Sequence, residues 1–108
     1  MSKLNILILN GPNLNMLGVR EPGIYGDNSL SNLITALKTK FSNVVISDHQ
    51  SNDEGELISL IQDFGMRYDG IVFNPGGFSH TSVAIRDAVS SVSARVIEVH
   101  ISNIHARE

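Results

Sequence analysis

Glu98 and His100 stand two residues apart at the end of a β-branched run, and on a strand that spacing sends both side chains off the same face. A carboxylate placed there can take a hydrogen bond from one ring nitrogen and fix the other for proton transfer. The pair also reads as a structural cap on the strand end. With His105 it makes a rival metal set, although no spacing here matches a zinc signature. Tyr25, followed by Gly26, is a second candidate proton carrier. A free tyrosine titrates near pH ~10, so service as a base near neutrality needs a cation beside it, which Arg20 can supply. His80 follows Gly76-Gly77 where a helical pattern opens, and reads either as an exposed helix-start residue or as a site group. His49 gives no usable signal.

Several chemistries are disfavoured. Neither GxGxxG nor GxxxxGK[ST] follows the first apolar run, which argues against dinucleotides, flavin and nucleoside triphosphates. Lysine occurs only at Lys3, Lys38 and Lys40, none near a strand's carboxyl end, so a Schiff base is a poor fit. With no cysteine, thiol catalysis, disulfides and thiolate metal sites are excluded. The net charge of -3 with no basic tract argues against nucleic acid. Neither a signal peptide nor a spanning stretch of about 20 apolar residues is seen, so the sequence reads as a soluble cytoplasmic protein with no membrane partner.

These residues need a frame. Residues 1–108 are one domain's worth, and a composition 42% hydrophobic and 18% charged is globular rather than disordered. Apolar, Val/Ile-rich runs at 4–9, 44–47, 70–73 and 95–99 suit strands buried on both faces. Helical patterns lie between them. Leu30, Leu33, Ile34, Leu37 and Phe41 share one face, with Asn28 or Ser29 as cap. Leu57, Ile58, Ile61 and Phe64 repeat the pattern after Asn52 and Asp53. A weaker helix spans about 81–90, with Val83, Ala84, Ala88 and Val89 inward. The order βαβαβαβ predicts an α/β fold with a doubly wound, flavodoxin-like parallel sheet and right-handed crossovers.

In such a fold ligands bind beyond the carboxyl ends of the strands. Those ends carry Asn10-Gly11-Pro12-Asn13, Gln50-Ser51-Asn52, Asn74-Pro75-Gly76-Gly77 and His100-Ile101-Ser102-Asn103. Each reads as ordinary turn chemistry by itself, but four converging on one edge favour a polar ligand site. The segment 11–27 exceeds the two to six residues usual for a βα connection and reads as a lid or as a plain surface loop.

The segments LNGPNLNMLGVREPGIYG (9–26), HQSNDEGELI (49–58), FNPGGFSHTSVAIRDA (73–88) and VIEVHISNIHARE (96–108) closely resemble the type II 3-dehydroquinate dehydratases, in that family's order and spacing. The resemblance implies a flavodoxin-like enzyme of the shikimate pathway that needs no cofactor or metal and dehydrates 3-dehydroquinate. It implies that Tyr25 is the base beside the ketone, with Arg20 lowering its pKa. Asn13 would stabilise the enolate through a bound water, His100 would protonate the departing hydroxyl, and Glu98 would orient His100. Asn74, the Ile101 amide and Ser102 would hold the substrate carboxylate, His80 would meet a ring hydroxyl, and Arg107 would stand near the tyrosine. Asp87 matches a residue that reaches a neighbouring subunit's site in the family's trimers, which assemble into dodecamers. The family continues past HARE with a fifth strand, a final helix and another substrate-binding arginine. The resemblance therefore implies a chain that is C-terminally incomplete relative to the family, and an inactive or binding-only fragment is the alternative reading.

Overall fold

The computed structural model describes residues 3–16 and 29–100. Four strands, β1 (Asn5–Asn10), β2 (Val45–Gln50), β3 (Gly70–Asn74) and β4 (Arg95–Glu98), form one parallel sheet in the order β2-β1-β3-β4. They alternate with α1 (Leu30–Lys40), α2 (Glu54–Arg67), the single turn α3 (Phe78–Thr81) and α4 (Val83–Ser91). A short 3-10 turn, Leu14–Met16, follows β1. The predicted βαβαβαβ order is thus the observed one, and β2 runs on to Gln50, beyond the apolar stretch that marked it in the sequence.

Strand register sorts the side chains into two faces. Leu7 is level with Ile71, and Leu9 with Phe73, so these four share a face. Their alternates, Ile6 and Ile8, are level with Gly70 and Val72 on the other. The first face is the core: Leu7, Leu9, Ile71 and Phe73 are buried against Leu57, Ile61 and Phe64 of α2 and Ile85 and Ala88 of α4. Burial of each large aliphatic side chain here is worth about 1.5–3 kcal/mol. Gly65 lets α2 approach the chain after α4, because a Cβ there would meet Val92 Cβ at 2.5 Å. His49, silent in the sequence, packs at a tilt against Phe64, with ring centroids 5.3 Å apart. The opposite face carries α1, whose Leu37 lines a trough with Ile6, Ile8, Ile46 and Val72.

Caps place the helix starts. Ser29 accepts the Asn32 N–H, which selects Ser29 from the two expected caps. Asp53 accepts the Gly55 N–H, and Glu54 and Glu56 suit the positive end of the α2 dipole. At the other end of α2, Arg67 forks onto Asp63 and holds that carboxyl below its usual pKa. The pair is exposed and adds little to stability.

Two expectations need correction. The predicted helix over 81–90 is divided at Ser82, whose extended backbone ends α3 and caps α4. His80 therefore belongs to the short α3, not to the start of the longer helix. The inward face of α4 is Ser82, Ile85 and Ala88, with Val89 half-buried, while Val83 and Ala84 are exposed. The Ser82 hydroxyl accepts the Ile85 N–H at 3.0 Å and donates to Glu54 Oε2 of α2. Satisfying that hydroxyl sets the rotation of α4 and turns Val83 outward. In α1, likewise, Ile34 is buried while Leu33 and Phe41 stay exposed.

Candidate active site

The strands' carboxyl ends lie along one edge of the sheet, because Asn10 is level with both Gln50 and Asn74, and Phe73 with Glu98. At its centre the loops after β1 and β3 are pressed together. The Gly11 N–H donates to Asn74 O at 2.7 Å. A Cβ on Gly11 would stand 2.6 Å from Pro75 O, closer than any other residue allows. Gly76 takes φ 61°, and its N–H donates to Asn74 Oδ1 at 3.1 Å. Asn74, 3% exposed, is thereby tied into its own turn.

Asn13 follows in the β1 loop, with the left-handed φ of 72°. Asparagine tolerates that region better than most side chains. The Asn13 N–H donates to Asn52 Oδ1 at 2.9 Å. Gln50 Nε2 donates to the same oxygen at 3.1 Å and to Gly11 O at 3.1 Å, and reaches Asn15 Oδ1 at 3.4 Å. The loops after β1 and β2 are thus joined by side-chain amides. The sequence marked Gln50-Ser51-Asn52 only as a polar strand end; the signal for this role was a run of amides where a turn needs few.

At the end of β4 and just beyond it, the His100 ring nitrogen Nε2 lies 3.1 Å from Glu98 Oε1. The Val99 N–H donates to Phe73 O at 2.8 Å, so the chain stays strand-like past Glu98 and keeps both side chains on one face. Both are about half exposed, at 54% and 53% for His100 and Glu98. Glu98 also lines a hollow of about 510 Å³ with Phe73, Phe78, Ile85, Arg86 and Val96. His80 is exposed on α3 and Asp87 is exposed on α4.

Of the expected site residues, the structure therefore sets Asn13 and Asn74 in two loops joined by the Gly11–Asn74 hydrogen bond, and pairs Glu98 with His100. Tyr25, Arg20, Ile101, Ser102 and Arg107 lie outside the described residues, as does His105 of the rival metal set. Among the described residues no three His, Asp or Glu side chains gather as a metal would need. An amide-rich edge with one imidazole–carboxylate pair can hold an oxygen-rich ligand and pass a proton to a leaving oxygen.

Comparison with known proteins gives a consistent result. Residues 4–108 match the family described as Dehydroquinase class II. The chain is 55% identical over 108 residues to the 3-dehydroquinate dehydratase of Anoxybacillus flavithermus, covering 97% of this chain and 72% of that one. It is 51% identical over 106 residues to the 3-dehydroquinate dehydratase of Bacillus pumilus, with 96% and 72% covered. Among solved structures, the type II dehydroquinase of Butyrivibrio crossotus superposes with a TM-score of 0.82 at 48% identity, covering 100% of this chain and 77% of that one.

Proposed function

The chain belongs to the class II dehydroquinase family, and from that premise we infer its reaction: elimination of water from 3-dehydroquinate to give 3-dehydroshikimate through an enolate. It is a hydro-lyase of the shikimate pathway, which leads to the aromatic amino acids.

The roles of individual residues are our reading. Tyr25, as phenolate beside Arg20, takes the proton next to the ketone. The electron pair moves onto the carbonyl oxygen, and Asn13 stabilises that enolate. As the enolate collapses the hydroxyl leaves, protonated by His100 as water, with Glu98 holding the ring. Asn74, the Ile101 amide and Ser102 hold the substrate carboxylate, His80 meets a ring hydroxyl, and Arg107 stands near Tyr25. A proton beside a carbonyl is weakly acidic, so a positioned base and enolate stabilisation are the demands to be met. The observation that most supports this reading is the Glu98–His100 hydrogen bond at the same sheet edge as Asn13. It commits Nε2 to the carboxylate and leaves Nδ1 for proton exchange. Asp87, exposed on α4, is in keeping with a part in a neighbouring subunit's site within trimers that build a dodecamer.

The test is an ultraviolet assay for the conjugated enone of 3-dehydroshikimate. The chain is expected to produce it, and Tyr25→Phe to abolish turnover while leaving the fold intact. Full activity in Tyr25→Phe would remove the assigned base. A second reading is a chain that binds 3-dehydroquinate without turnover. Binding of 3-dehydroquinate by calorimetry from a folded sample that yields no enone would favour it.

A further inference from the structure

We propose that Asn52 is a positioning residue for the reaction, acting through Asn13. This rests on the assignment of the enolate to Asn13 and goes beyond it.

Asn13 has the only positive φ among the described non-glycine residues, at 72°. A side chain held in that region marks a place where the surroundings over-determine the backbone. The agent is visible. Asn52 Oδ1 takes the Asn13 N–H at 2.9 Å, and the same oxygen is held by Gln50 Nε2 at 3.1 Å. Gln50 is in turn anchored on Gly11 O at 3.1 Å, two residues before Asn13. The chain of amides therefore runs from the end of β2 to both ends of the short Gly11–Asn13 segment.

Burial does not account for it. Asn13 and Asn52 are both exposed, so water can satisfy the Asn13 N–H if Asn52 is removed, and little stability hangs on the bond. What water cannot do is select one backbone rotation. Losing Asn52 frees Asn13 to leave the left-handed region, and its side chain leaves the enolate position with it. Misplacement of a catalytic group by about 1 Å can cost a factor of roughly a hundred.

The experiment compares Asn52→Ala, Asn52→Asp, Asn13→Ala and the Asn13→Ala/Asn52→Ala pair. Asn52→Ala is expected to lower kcat roughly ten- to a hundredfold, with KM and melting temperature near those of the parent. Asn52→Asp keeps an oxygen acceptor for both amide donors and recovers most of the loss. Against an Asn13→Ala background, Asn52→Ala adds nothing further, because the residue it positions has gone. The same set is titrated by calorimetry with a planar, carboxylate-bearing enolate analogue, so that the readout does not depend on turnover. Parental kcat and analogue affinity in Asn52→Ala, or the same fold-loss with and without Asn13, overturns the proposal and leaves the site standing. Full turnover in Asn13→Ala removes the enolate assignment itself. A parent chain that neither turns over nor binds the analogue removes both.

Discussion

At the scale of single residues, the site depends as much on absent side chains as on present ones. Gly11 and Gly76 let two strand-end loops touch, and the 2.7 Å bond from Gly11 N to Asn74 O exists only because nothing projects between them. Gly11→Ala is expected to cost about 1–3 kcal/mol, as overpacking usually does, and to lower kcat further by separating Asn13 from Asn74. Urea denaturation and the enone assay measure the two effects separately. A parental midpoint in urea would mean that the loops part without cost. The Glu98–His100 pairing was legible at this scale, because the two stand two residues apart and period two puts them on one face. The Asn52–Asn13 bond was not. It joins residues 39 apart in the chain, and no local pattern encodes which amide of a polar turn will reach across to the next loop.

Among the elements, the strands and the first two helices could be read from apolar spacing and caps, whereas the phase of α4 could not. Val83 and Ala84 are the more apolar choice for an inward face, yet the chain buries Ser82 and exposes Val83 to 73%. The reason is polar. Ser82 Oγ meets the Ile85 N–H and the Glu54 carboxylate, so one buried hydroxyl fixes both the start and the rotation of the helix. Hydropathy gives no weight to a polar group that is satisfied inside. Ser82→Ala is expected to destabilise the fold by about 1–2 kcal/mol, the usual range for losing such a cap, and Ser82→Thr to restore most of it. Thermal unfolding of the two variants checks this; equal melting temperatures for Ser82→Ala and the parent would show that packing, not the hydroxyl, sets the phase.

For the whole molecule, the two sheet faces differ. One is sealed by α2 and α4. The other is covered in part by α1, and among the described residues an open trough of about 620 Å³ runs past it, lined by Leu4, Ile6, Val72 and Ile97. Ile97 is 55% exposed on β4, which is at the edge of the sheet among the described residues. Open apolar edges promote association, and a lysine on an edge strand suppresses it. Concentration-dependent light scattering is expected for the chain, with Ile97→Lys shifting it toward monomer; identical scattering from both would place the contact elsewhere. Among the described residues no helix is long and apolar enough to cross a membrane. The strand order carries one more consequence. β1 lies between β2 and β3 and pairs with both, and every connection is a crossover. Of these four strands β1 is made first, and it has no partner until β2 follows. At translation speeds of about 5–20 residues per second, roughly 2–8 seconds separate Asn10 from Gln50, the end of its first partner. For that interval β1 is an apolar segment with no strand to pair with, and a chaperone that grips short aliphatic stretches has its opportunity there.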